Sequence, residues 1–202
     1  MLIKKYFLLL LFSFNGFAQA ITLPELQAKL TSHQLIRGQY QQVKKMQMFK
    51  QPLLSEGDFL LDQQQGLLWR QKQPFPVFLT LTKDRLSQRY SDQPAHIIEA
   101  VENPMVFYFS HLFLSLFKGD IEGLTVQFDM HLESKNGQWL LLLTPKISPL
   151  NKVFKKITII GSEYIDQLNL LELNGDSSTI QFLGQNNLPA KLTDNEQQYF
   201  QF

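Results

Sequence analysis

Cysteine is absent from the whole 202-residue chain, which excludes a disulfide framework, a thiolate metal site and a lipid-anchoring thiol. Charge of one sign is missing as well. Nineteen Lys and Arg stand against 18 Asp and Glu, for a formal net charge of +1. That balance argues against a nucleic-acid partner and against strong electrostatic attachment to an anionic membrane. Catalytic spacing is absent too. His33, His96, His111 and His131 sit in separate segments with no His-x-His or His-Glu-x-x-His pattern, so no metal site is expected. There is no Gly-x-Ser-x-Gly, no Gly-x-Gly-x-x-Gly and no P-loop. Asp84, Asp129, Glu133 and Asp166 fall at turns or on polar faces, and their spacing pairs no two carboxylates in a cleft. The expectation is a protein without catalytic residues and without a cofactor.

The N-terminus carries Lys4 and Lys5, then Tyr6-Phe7-Leu8-Leu9-Leu10-Leu11-Phe12, then Ala18-Gln19-Ala20, with no acidic residue. This is the pattern of a secretory signal peptide, with an apolar core too short for a membrane anchor. Residues 1–20 are therefore expected to be cleaved, leaving residues 21–202 as a single domain. Losing Lys4 and Lys5 turns an excess of one positive charge into an excess of one negative charge. A bacterial signal of this kind directs the chain to the periplasm or the medium as a soluble protein, with no stable insertion in a membrane.

Past the signal, Leu23, Leu26 and Leu30, with Pro24, give the spacing of a short amphipathic helix. The period then changes to two. Candidate strands are Leu35 to Gln47, with Gly38 at a bend or bulge, Leu53 to Asp62, Leu67 to Arg70, Val77 to Thr82 and Arg85 to Tyr90. They are separated by turn residues such as Gln63-Gln64-Gln65-Gly66 and Lys83-Asp84. A looser stretch from Ser91 to Glu102 follows. Strands resume at Leu124 to Glu133, where Val126, Phe128, Met130 and Leu132 alternate with polar neighbours and His131 points outward. Lys135-Asn136-Gly137 is a hairpin turn signal. Trp139 to Thr144, Lys156 to Ile160, Ile165 to Leu173 and Ser178 to Leu183 continue the pattern, and Tyr199 to Phe202 offers a last strand. About ten or eleven strands in short-turn sequence favour one large antiparallel sheet, closed or nearly closed to protect its edges.

Residues 103–119 break the alternation. Asn103 suits an N-cap, Pro104 a first helical position and Gly119 a C-terminal stop. Met105, Phe109, Leu112, Phe113 and Leu116 form one stripe, while Val106, Phe107, Leu114 and Phe117 cover much of the remainder. At about 15 residues the helix falls short of the ~20 that span a bilayer. Its apolar sides must be covered, either as a plug completing the core of a half-open barrel or as a lid over an apolar cavity. The residue pattern alone leaves both roles open. His111 on this helix reads as a hydrogen-bonded relief point in either.

The order of motifs resembles the periplasmic outer-membrane lipoprotein carriers of LolA type. The pieces are Gly38-Gln39-Tyr40-Gln41-Gln42, Gly57-Asp58-Phe59-Leu60-Leu61 and Gly66-Leu67-Leu68-Trp69-Arg70, with Pro74 and Tyr90 following. Leu143-Thr144-Pro145-Lys146, Ile157-Thr158-Ile159 and Ile165-Asp166-Gln167-Leu168 come later in the same order. The resemblance implies a mainly β fold: an unclosed antiparallel β-barrel with an N-terminal helix and an apolar lid helix over a hydrophobic cavity. It implies a carrier that takes the acyl chains of lipoproteins from an inner-membrane transporter and hands them to an outer-membrane acceptor. The matching lining positions are Tyr40, Phe59, Leu61, Leu67 and Trp69 on strands, and Met105, Val106, Phe107 and Phe109 on the lid. A monomer is expected. Related readings are a carrier of another acylated or polyene lipid and a module that senses lipid or lipoprotein. Two departures from the carriers stand out: Gln64-Gln65-Gly66 occupies the place of an Arg-Pro whose arginine holds the lid, and the chain stops at Phe202 without the further C-terminal loop and strand.

Overall fold

The computed structural model describes residues 21–91, 93–99, 102 and 114–202. The signal segment and most of the apolar helix lie outside them. Helix α1, Leu23–Thr31, starts where the sequence supplies a capping box: the Glu25 amide donates to Thr22 Oγ1, and the Thr22 amide donates to Glu25 Oε2 at 2.7 Å. Its Leu26 and Leu30 are buried, so the predicted stripe is the face that packs.

The strands are β1 Leu35–Lys45, β2 Leu53–Asp62, β3 Gly66–Gln73, β4 Val77–Leu81, β5 Arg85–Tyr90, β6 His96–Glu99, β7 Phe128–Lys135, β8 Gln138–Pro145, β9 Phe154–Gly161, β10 Ile165–Glu172 and β11 Ser177–Asn186. They form one 11-stranded antiparallel sheet in the order β6-β5-β4-β3-β2-β1-β11-β10-β9-β8-β7. Two meanders therefore meet at a seam, where β1 pairs with β11. The sheet curls without closing, since β6 and β7 stay at its edges. A mainly β, unclosed antiparallel barrel is thus what the chain adopts. Side chains of alternate residues point inward, and the inner set merges with Leu26 and Leu30 of α1 into the main core.

Three expectations need correction. The strand predicted from Leu124 begins only at Phe128, because residues Ile121–Gln127 form a helix, α2. Its N-cap Asp120 accepts the Gly123 amide at 3.0 Å and it buries Ile121 and Leu124, while Val126 is left outside at 67% exposure. The stretch before the apolar helix contains a strand, β6, that Pro94 just ahead of it obscured. Residues 199–202 add no strand; a short helix α3, Asp194–Gln198, precedes them, and the segment runs across the convex face of the sheet.

That crossing is well anchored. Phe200 joins Leu35, Leu60 and Leu68 in a second, outer cluster, and Tyr199 stacks on Phe78 with ring centroids 6.4 Å apart. Arg37 donates from Nε and Nη2 to the two Glu196 carboxylate oxygens, each at 2.7 Å, and to the carbonyls of Pro189 and Lys191. Arg85 donates to the Phe202 carbonyl oxygen. Residues 187–202 thus form a strap over the outside of the first meander.

Candidate functional site

The concave face of β1, β2, β3 and β11 gathers large aromatic side chains. Register explains the grouping: Tyr40 is opposite Phe182 on β11, and Phe59 is opposite Trp69 on β3. Tyr40 and Trp69 stack with ring centroids 3.7 Å apart, and Phe59 meets Phe182 edge-on at 5.1 Å. Phe117, from the helical residues 114–117, closes on Phe182 at 5.6 Å. Gly38 makes the packing possible. A Cβ there would lie 2.7 Å from Phe59 Cε1 and 2.9 Å from the Leu183 carbonyl oxygen. The β1–β11 register shifts at this position, as the predicted bulge requires.

Tyr40, Phe59, Leu61 and Leu67 are all buried, and Trp69 remains partly exposed beside them. The Tyr40 hydroxyl lies in this lining without a hydrogen-bond partner of normal geometry. Burial pushes the phenol up to about 12, the Trp69 side chain pulls the other way, and the Asp58 charge adds to the rise. The phenol therefore stays protonated near pH 7. Among the described residues no group of His, Asp or Glu is arranged to hold a metal ion. His33 and His131 are each engaged with a glutamate, at 2.9 Å from Glu163 and Glu133 respectively.

Toward the β1–β2 hairpin, the sheet borders an open pocket of about 490 Å³ lined by Gln41, Gln42, Val43, Leu54, Ser55, Glu56, Gln73 and Pro74. That volume lies in the range of small-molecule sites. Gln42 and Ser55 share the face of Tyr40 and Gly57, whereas Gln41, Val43, Leu54 and Glu56 alternate with them, so the pocket lies around the end of the hairpin rather than on the aromatic face alone.

Neither a protein-family model nor a curated protein sequence matches the chain. Solved structures do match. A domain assigned to outer-membrane lipoprotein sorting, from Vibrio parahaemolyticus, superposes with a TM-score of 0.52 at 10% identity, covering 89% of this chain and 97% of that one. The fold is LolA-like. A LolA-superfamily protein from Nitrosomonas europaea is also similar, at 10% identity and a TM-score of 0.47, over 90% of this chain and 98% of that one.

Within the LolA-like barrel the five strand positions expected from the sequence come together on one face, in a single core cluster. Met105, Val106, Phe107 and Phe109 lie outside the described residues. The C-terminal end of the same apolar stretch is described, and it buries Leu114, Leu116 and Phe117. Phe182 and Phe117 belong to the lining although neither was among the lining positions expected from the sequence. For Phe182 a signal existed: Ile180 and Phe182 alternate on β11, and both are buried in the main core. No helix among the described residues is long and apolar enough to cross a membrane.

Proposed function

We propose that this chain is a soluble periplasmic carrier of acylated cargo, lipoproteins first, which shields acyl chains in transit from inner to outer membrane and thereby serves outer-membrane biogenesis. One observation carries the reading: an unclosed barrel holds a buried aromatic and aliphatic lining on its concave face. In this reading Tyr40, Phe59, Leu61, Leu67 and Trp69 form the fixed wall, and Met105, Val106, Phe107 and Phe109 form the movable one. Residues 1–20 serve as the export signal, and a membrane transporter and an outer-membrane acceptor stand at the two ends of the route.

The energetics suit such a task. Each buried methylene is worth about 0.8 kcal/mol, so one long acyl chain gains on the order of 10 kcal/mol by leaving water. Release must remain possible. A lid whose own apolar side covers the empty wall supplies the counterweight, because cargo replaces lid contacts and little apolar area meets water in either state. The test is to purify the exported protein from the periplasm, identify co-purifying molecules by mass spectrometry, and follow transfer of a labelled lipoprotein. Acylated peptides support lipoprotein transport, and a protein-free acylated or polyene lipid redirects the proposal to that cargo. Recovering no acylated species, together with no transfer, would sink it.

A further inference from the structure

At one end of the barrel the chain exposes apolar side chains that the core has no use for. Met48 and Phe49 form the tip of the β1–β2 hairpin, with Met48 76% exposed. Leu53 and Leu54 follow at the start of β2, Phe75 lies between β3 and β4, and Leu173 leaves β10, all exposed. All these positions fall at the same end of the strands, since β1 and β3 end where β2 and β4 begin, and β10 ends where β11 begins beside β1. The tip is held in place: the Gln47 amide donates at 2.8 Å to Asp176 in the β10–β11 turn.

Cations surround this apolar tip. Lys44, Lys45 and Lys50 lie within the hairpin itself, and none of them pairs with a carboxylate among the described residues. Lys152 is exposed in the 3₁₀ turn Leu150–Lys152, next to Val153, whose carbonyl accepts the Leu173 amide at 2.9 Å. Of the nearby acids, Asp176 is buried and already accepts the Gln47 amide, leaving Glu56 on β2 and the half-buried Glu172 at the end of β10 against four lysines. A near-neutral total charge conceals this local excess.

We propose that this end of the barrel docks reversibly on an anionic lipid bilayer, with Met48 and Phe49 entering the headgroup region and Lys44, Lys45 and Lys50 reaching the phosphates. Apolar side chains ringed by lysines are the composition that an anionic bilayer interface selects, and lysine stems lie along the apolar layer while their ammonium groups stay with the phosphates. The complementarity favours lipid over an apolar protein partner, which would leave three ammonium groups without counter-charge. Val43 and Leu54 of the same hairpin line the open pocket. Docking therefore turns the pocket toward the bilayer, a consequence that rests on the carrier reading, whereas the docking itself does not.

The experiment is flotation of the purified chain, without cargo, on vesicles of equimolar phosphatidylglycerol and phosphatidylethanolamine, compared with phosphatidylcholine vesicles. A lysine near an anionic surface strengthens attachment about fivefold, so the anionic vesicles should bind at least tenfold more tightly, and about 1 M salt should abolish the difference. The variant Met48→Glu/Phe49→Glu should lose at least tenfold in binding while keeping its melting temperature and its affinity for a fluorescent fatty acid. Lys44→Gln/Lys45→Gln/Lys50→Gln should bind both vesicle types alike. Equal binding of the parent chain to both vesicles, no binding to either, or binding that survives both variants overturns the proposal. So does self-association that the variants remove without any vesicle binding. Fatty-acid binding measured on the same samples separates this failure from failure of the carrier reading.

Discussion

Replacing Glu196 by Gln should loosen the strap in a manner that pH reveals. Hydrogen bonds from Arg37 hold the Glu196 carboxyl at about 2, against an ordinary value of 4.5, and the Thr193 cap adds to the lowering. That difference corresponds to at most about 3.4 kcal/mol. The two side chains are 15% and 16% exposed, and solvent screening reduces the figure to about 1.5 to 2 kcal/mol. Because the folded state holds the proton less tightly than the unfolded one, the contribution is complete above about pH 5 and is lost as pH falls from 4.5 toward 2. Glu196→Gln should therefore lower the melting temperature by about 3 to 8 °C at pH 7, and the gap should shrink to less than half at pH 3. Other carboxylates titrate alike in both proteins, so the difference isolates this one. Thermal melts followed by far-ultraviolet circular dichroism across pH 3 to 7 give the measurement. An equal gap at both ends, or none at pH 7, would refute the assignment of Glu196 as the strap's charged anchor.

Other expectations concern the aromatic lining. Tyr40→Phe removes a buried hydroxyl without a hydrogen-bond partner of normal geometry and should raise stability by about 1 to 3 kcal/mol in denaturant titration; a loss would mean that its contact with Trp69 stabilises the fold as a hydrogen bond. Gly38→Ala forces a methyl against Phe59 and the Leu183 carbonyl, costing about 1 to 3 kcal/mol, and an unchanged denaturation midpoint would show that the bulge has room to spare. Trp69 emission should shift when a fatty acid is added and the shift should vanish in Trp69→Phe, since Trp139 is buried elsewhere with its indole N–H on the Ser162 carbonyl. A shift that persists in the variant would place the ligand away from this wall.

The strands with clean alternation were legible in the sequence; β2 and β5 run over the residues expected of them. Local chemistry misled where two periods overlap. Leu124, Val126 and Phe128 alternate like a strand, yet Asp120 caps a helix and Ile121 and Leu124 supply its buried side. Tyr199 to Phe202 also alternate, but Thr193 and Glu196 form a capping box upstream, a signal present in the sequence that four alternating residues outweighed. The site divides in the same way. Tyr40, Phe59 and Trp69 sit on neighbouring hairpins and could be grouped by local reasoning. Phe182 reaches them only through the β1–β11 pairing, a contact between segments some 140 residues apart that no short-range pattern encodes.

That seam has a kinetic consequence. The first meander can pair its own strands as soon as they exist, but Tyr40 finds Phe182 only after the last strand has been made and has crossed to β1. Pairing at such sequence separation is entropically slow. The aromatic wall is therefore among the latest parts of the molecule to assemble, and a chain arrested before β11 leaves β1 with an unpaired edge and Tyr40 without Phe182.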